Sequence, residues 1–494
     1  MSHPFSENDI EQAKTFGITE QEMLRQLAIL RQGLVTTEAV RACVLGDGIH
    51  KIHSEDHARL IERFERARLK GRFTKLVPAS GAATRMFKFV FNKAQNPDQE
   101  NPDFDFLLDH LEEFPFFERL CQLCKPSRPK DMAPEKLAKM MLEDLNFSTL
   151  PKAFIPFHAY DSEIYMAIDE HFSDATLYLV DQHGMIRLHF TIDPQFVPRL
   201  EEEVKRISDS SSFQYQVSHS IQKPQTQTIA VFDNGEPART QDGRLLFRPG
   251  GHGSLLENLK DLQRDRGGDI VFIQNIDNVG RKEHHPERVQ YKKLLAGYLL
   301  EIEDQVRAFL NQIEKPELNL DEAWSFARHK LGVQLMVSPE NLSDADQRKE
   351  LKSILLRPIR VCGMVKNEGE PGGGPFWTRS NVESCQILEK AQLDLSDPKQ
   401  KEILGQSTHF NPVDLVCSLR DPNGSPFDLD AFIDPNACFI SEKSFNGDTI
   451  FALEHPGLWN GAMAHWNTAF VEVPLLTFTP VKTVNDLTRA SHQP

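Results

Sequence analysis

No run of about 18 consecutive apolar residues occurs in the chain, so the sequence offers no segment long enough for a membrane-spanning helix. The N-terminal "MSHPFSENDIEQAK" lacks the apolar core of about 7–15 residues that a secretory signal requires, and a cytoplasmic location is expected. Cysteine is sparse: seven residues, odd in number and scattered, which excludes a disulfide framework. Cys121 and Cys124 form a C-x-x-C with no second pair at zinc-finger spacing, and we read it as incidental on a helix. Positive charge is in deficit. Lys and Arg total 56 against 72 Asp and Glu, a net charge of -16 that opposes binding to nucleic-acid backbones and anionic membrane surfaces. A phosphate-bearing ligand would have to meet a local cluster of cations instead. Internal repeats and low-complexity segments are also missing.

What is present suits a folded enzyme-sized chain: 494 residues with 39% apolar content can bury a large core in two or three domains. Residues 7–70 show apolar spacings of three and four up to Gly71, predicting an N-terminal helical segment over 1–71. From 72 to 494 the pattern is α/β. "FTKLVPAS" (73–80) reads as a buried strand, and "GAATRMFKFVFNKA" as the helix that follows it. Residues 88–148 read as a helical insertion, and "TLYLV", "MIRLHFTI", "TIAVF", "DIVFIQNID" and "RPIRVCGMV" as strands. A long helix is expected over 287–313, and 371–375, all glycine and proline, as irregular chain.

Strand, small-residue turn and helix form a unit that binds phosphate at a helix N-terminus, and a turn packed plainly against a helix reads the same way. "LVPASGAATRM" (76–86) resembles the G-G-x-G-T-R signature of sugar-phosphate nucleotidyltransferases, with Ser80 and Ala83 standing where glycines are expected. "LPKAFIPFH" (150–158) resembles the P-K-x-x-x-P element of the same enzymes. "RPGGHGSLLENL" followed by "FIQNIDNVG" resembles the ordered pair P-x-G-H-G and N-x-D-N of UDP-sugar pyrophosphorylases. "QILEKAQ" and "HFNPVD" resemble the L-E-x-A-Q and F-N segments of that family. "VPLLTFTPVKTVNDL" is similar, nearly position for position, to its C-terminal V-P-x-x-x-F-x-P-V-K-T-x-x-D-L element. The resemblance covers about 73–494 in pieces. It marks a distant branch, within a bacterial domain family of no assigned function.

The resemblance implies a nucleotide-diphospho-sugar transferase (GT-A, Rossmann-like) fold, a mixed sheet flanked by helices. It implies Mg²⁺-dependent joining of an NTP, with UTP first by analogy, to a sugar 1-phosphate, releasing pyrophosphate. Arg85, Lys152 and Lys482 become the phosphate-handling cations, and Asp277, at the end of a buried strand, the metal ligand. Ser80, Gly81, Ala82, Gln222, Gly250, Gly251, His252 and Gly253 become nucleotide-binding residues, the glycines as a backbone edge against a flat base. Asn275, Glu389 and Asn411 fall on the sugar, where amide and carboxylate groups suit hydroxyls. The expected partners are the NTP and the sugar 1-phosphate, with no nucleic acid or membrane. The lost glycines keep open a catalytically inactive sugar-nucleotide sensor or scaffold of the same fold. His409 and Asp414 could pair on a second metal but are read as structural, as are His158, His284 and His285, taken as isolated or exposed.

Overall fold

The computed structural model describes residues 3–33, 36–161, 163–265, 269–369 and 372–494. The fold is α/β, with a large mixed sheet and flanking helices. The chain divides into two units that interleave in sequence. Unit 1 comprises Met1–Ala58, Ile221–Val271 and Leu295–Glu472, and unit 2 Arg59–Ser220, Phe272–Leu294 and Val473–Pro494. Among the described residues no helix is long and apolar enough to cross a membrane.

In unit 2 the strand Phe73–Pro78 pairs in parallel with Met185–Thr191, which pairs in parallel with Gln214–Ser220. Phe73 to Val77 are buried without interruption, as expected of a parallel strand covered on both faces. Lys75 is tolerated in that run because its Nζ donates to Asp174 at 2.6 Å. The expected insertion is present as the helices Lys88–Gln95, Pro102–Asp109, Phe117–Cys124 and Pro134–Glu143. Phe87 and Phe116 both pack on Phe147 to close it.

In unit 1 the strand Ile359–Lys366 lies parallel to Asn467–Glu472 and antiparallel to Asp414–Ser418. A separate antiparallel sheet runs Phe247–Pro249, Gln227–Phe232, Asp448–Glu454, Phe439–Phe445. The helices Glu7–Thr15 and Glu20–Gln32 bury Ala13, Met23 and Leu27 against Ile229 and Val231 of that sheet.

Four local expectations change. The 7–70 stretch is broken by the strands Ala39–Ala42, Val44–Leu45 and Gly48–His50, where the apolar spacing shortens between polar residues. After the strand Phe73–Pro78 the chain makes one 3₁₀ turn, Ala83–Arg85, and the helix starts only at Lys88. "TLYLV" is an irregular segment after the helix Ala167–Ala175: Tyr178 and Leu179 fill the core while Leu177 is exposed, and it does not pair as a strand among the described residues. Within the glycine- and proline-rich stretch, Pro371 lies outside the described residues, but Gly374 and Pro375 open the strand Gly374–Arg379. Proline is tolerated near a strand end, and the Pro375 carbonyl still accepts from the Cys43 N–H at 3.0 Å.

Candidate functional site

The clearest chemical cluster lies within unit 2 and is built from three distant segments. The Ala79 N–H donates to the Thr191 carbonyl, fixing the turn after the strand Phe73–Pro78. Ala82 then makes an antiparallel bridge with Pro151, and the Ala83 N–H reaches the Leu150 carbonyl at 3.1 Å. That pairing sets the small-residue turn beside the one carrying Lys152, which opens the 3₁₀ turn Lys152–Phe154 above buried Ala153 and Phe154. The third segment follows the buried strand Ile270–Gln274: the Asn278 N–H bonds the Asn275 carbonyl, and the bend presents Asp277.

Asp277 Oδ2 accepts from Lys152 Nζ at 2.8 Å and Lys482 Nζ at 3.0 Å. Its backbone carbonyl accepts from the Val481 N–H, and Lys152 Nζ also donates to the Val481 carbonyl at 2.8 Å. Asp277 Oδ1 is buried and has no hydrogen-bond partner among the described residues. Burial alone would raise the Asp277 carboxyl pKa, but the two lysine charges outweigh it and hold the group below the ordinary carboxylate range. Burial pushes Lys152 below the ordinary lysine range, the Asp277 charge partly opposing this and Lys482 adding to it. The arrangement is a partly desolvated pair of cations held on one carboxylate, with a free oxygen on the far side.

Lys482 differs from Lys152 in being exposed, its side chain 57% accessible against 14%. Its backbone is nevertheless fixed: Asp486 Oδ2 accepts from the Lys482 and Thr483 N–H groups at 2.8 and 2.7 Å. Asp486, the aspartate of the C-terminal T-x-x-D-L element, carried no assigned role in the sequence, although Thr483-x-x-Asp486 has the capping-box spacing that shows one. Of the other unit 2 candidates, Arg85 is exposed and pairs with no carboxylate among the described residues. Ser80 and Asn275 are half-buried, and Gly81 and Ala82 exposed.

A second polar cluster in unit 2 corrects the reading of its histidines. His158 is neither isolated nor exposed. Its Nδ1 lies 2.7 Å from Glu170 Oε1 and its Nε2 2.8 Å from His492 Nδ1, while Tyr160 donates to Glu170 at 2.8 Å and buried His285 lies 3.5 Å from Glu170 Oε2. Burial would raise Glu170, but these donors bring it down to about 2, and burial followed by the His158 charge brings His492 down to about 3. Both folded values lie below their ordinary values of 4.5 and 6.5, so both contributions to stability are complete above those values. They are lost as pH falls, His492 first, from 6.5 toward 3, then Glu170 from 4.5 toward 2. Denaturant melts from pH 8 to 3 should therefore show a decline that Glu170→Gln and His492→Ala flatten; a variant as acid-sensitive as the parent would remove the cluster from this role.

The unit 1 candidates form a separate constellation. The strand Phe247–Pro249 leads through the 3₁₀ turn Gly251–Ser254 into the helix Leu255–Asp265, the helix start expected there. The glycines are required by the protein's own packing. A Cβ at Gly250 would strike the Thr226 carbonyl and the His455 ring, and one at Gly253 the Pro456 carbonyl. Gly251 has φ +72°, a conformation that disfavours any side chain, and faces Glu454. His252 stacks on Trp459 at 4.3 Å between ring centres, and its Nδ1 accepts from the Leu458 N–H. Nε2 is therefore the protonated nitrogen of the neutral ring, directed toward Glu389 at 3.7 Å. Gln222 is half-buried. Asn411 is buried, with Oδ1 committed to the Val413 N–H in an Asx turn. His409 faces Glu472 at 3.4 Å, and among the described residues no group of three or more His, Cys, Asp or Glu could hold a metal ion.

Comparison with solved structures supports the fold. The UDP-N-acetylglucosamine pyrophosphorylase of Trypanosoma brucei aligns over 99% of this chain and 78% of its own, with a TM-score of 0.51 at 13% identity. A UDP-glucose phosphorylase from the same organism aligns over 97% and 77%, with a TM-score of 0.46 at 13% identity. No curated protein sequence matches the chain. Residues 6–493 match the family described as domain of unknown function DUF4301, and the chain belongs to that family.

Proposed function

We propose that this protein is a sugar-1-phosphate nucleotidyltransferase, joining an NTP, UTP first among them, to a sugar 1-phosphate with release of pyrophosphate. The observation that carries the reading is the Lys152–Asp277–Lys482 cluster with its unpartnered buried oxygen. A phosphate oxygen of the sugar 1-phosphate attacks the α-phosphorus in line. The new O–P bond forms as the bond to the bridging oxygen breaks, and pyrophosphate carries away the electron pair. No covalent enzyme intermediate is needed, so catalysis reduces to positioning and charge neutralisation.

Lys152 and Lys482 leave the shared carboxylate for phosphate oxygens, and Arg85, exposed at the end of the 3₁₀ turn, is free to meet the departing pyrophosphate. The Asp277 Oδ1 fits Mg²⁺, which takes few protein ligands and completes its octahedron with water and phosphate oxygens. When bound, that ion would neutralise charge on the reacting phosphates. In unit 1 the backbone of residues 250–253, with His252 and Gln222, is assigned to the base, and Glu389 and Asn411 to sugar hydroxyls. Asn411 offers its amide NH₂ as donor, its carbonyl already accepting one bond from the Val413 N–H. In unit 2, Ser80, Gly81 and Ala82 are assigned to the nucleotide and Asn275 to the sugar.

A pyrophosphate-release screen with four NTPs, a panel of sugar 1-phosphates and Mg²⁺ tests the reading, with UTP expected to give the strongest signal. Binding of a UDP-sugar without pyrophosphate exchange would instead establish the inactive sensor, which the replacement of two glycines by Ser80 and Ala83 favours.

A further inference from the structure

We infer that Arg288 is a positioning residue that holds the segment bearing Asp277 and the segment bearing Lys482 in register. This rests on the reading of those two residues as phosphate-handling groups. Arg288 stands in the first turn of the helix His285–Leu310, within unit 2, and is buried at 4% exposure. Its Nη2 donates to the Asn278 carbonyl at 2.9 Å, one residue after Asp277. Its Nη1 donates to Thr479 Oγ1 at 2.9 Å and to the Leu476 carbonyl at 3.1 Å, in the strap that leads to Lys482.

The fork geometry makes this contact specific to arginine. A planar guanidinium carries two terminal nitrogens at a fixed separation, so one side chain can bind two backbone segments in one relative position. Around it the same two segments interlock. The Thr479 N–H donates to Asn278 Oδ1 at 3.0 Å, Thr479 Oγ1 donates to the Val279 carbonyl at 2.8 Å, Asn278 bridges Pro480, and the Val481 N–H reaches the Asp277 carbonyl. From the other side, Gln274 Nε2 donates to the same Asn278 carbonyl at 2.6 Å, and Lys292, one helical turn after Arg288, donates to Gln274 Oε1 at 3.0 Å. Through these contacts the network meets Asp277 at its backbone carbonyl and reaches the Lys482 segment through Thr479, Pro480 and Val481, so it sets where the two side chains sit while the Asp277 carboxylate still meets both lysines. Arg288 lies in none of the sequence motifs and has no local signature of its own.

The test compares Arg288→Lys with the full-length parent in three measurements: thermal melting, amide hydrogen exchange, and steady-state pyrophosphate release. Arg288→Lys keeps the buried charge but loses the fork. Exchange at the Thr479 and Val481 amides should accelerate together while that of Ile192, elsewhere in unit 2, stays at the parent rate. Turnover should fall about 10²-fold with a change in the NTP KM below about threefold, since misplacement by about 1 Å costs rate rather than ground-state binding. Should Arg288→Lys not fold, Thr479→Val removes one arm of the contact and is expected to show the same split between kcat and KM. A folded variant with parent exchange rates at Thr479 and Val481, or with turnover within about twofold of the parent, overturns the inference. If the parent itself releases no pyrophosphate with any substrate pair, the functional reading falls, and the exchange rates alone decide whether Arg288 joins the two segments.

Discussion

Asp277→Ala is expected to abolish pyrophosphate release and to weaken the fold at the same time. The carboxylate is the group on which both Lys152 and Lys482 converge, and its second oxygen is the one the reading gives to Mg²⁺. Losing it should cost at least about 10³ in turnover, the upper range for removal of a single preorganised electrostatic partner. The stability loss has a different origin. Lys152 would remain buried beside a like charge, and breaking a buried ion pair from one side costs on the order of 3 kcal/mol. Asp277→Asn separates the two effects, since the amide oxygen still accepts from a lysine but carries no charge for a metal. Denaturant midpoints and pyrophosphate release on both variants check this. Full turnover in Asp277→Asn would take the carboxylate out of the chemistry.

The second large effect is a contrast between the two lysines. Lys482→Ala should lower turnover by about 10²–10³ and leave stability within about 0.5 kcal/mol, as for other exposed positions. Lys152→Met should lose a comparable factor in turnover, but with an additional signature in pH. Because burial holds the Lys152 ammonium below the ordinary lysine range, the alkaline limb of activity in the parent should fall before pH 10.5. Lys152→Arg, charged at every accessible pH, should lose that limb if it retains activity. Stability runs the other way across the same window. An unfolded lysine binds the proton more tightly than the buried one, so the fold gains stability as pH rises from the lowered value to 10.5. An alkaline limb unchanged in Lys152→Arg would assign it to another group.

Much of the fold was legible in the sequence because the signals were local. The buried run 73–77, the alternating helices of 88–148 and the long helix now bounded as His285–Leu310 each carry their periodicity within one window. The failures arose where tertiary context overrides such a window. Gly374 and Pro375 form a strand because Cys43 and Ile387 pair with them from elsewhere in the chain. "TLYLV" has strand composition but has no strand partner among the described residues.

The candidate site shows the same division. Motif resemblance named Lys152, Asp277 and Lys482 separately, while their meeting on one carboxylate, across 125 and 205 residues, has no local signature. The histidine cluster was missed for that reason, since His158 and His492 are 334 residues apart. The glycines of 250–253 were recognisable as unusual, but their partners, Thr226 and residues 454–456, could be found only in the folded chain.

The interleaving of the two units has a consequence for synthesis. Chains generally fold from the N-terminus as they are made, yet unit 2 draws on Arg59–Ser220, Phe272–Leu294 and Val473–Pro494. Its strand pairs and insertion helices can form early, but Asp277 must wait some 200 residues of translation for Lys482 and for the strap that Arg288 binds. Throughout that interval Lys152 is the one cation of the cluster already made, and the second is still to come. A ribosome-stalled chain ending before residue 473 should therefore expose a half-built cluster that lacks both Lys482 and the strap carrying it.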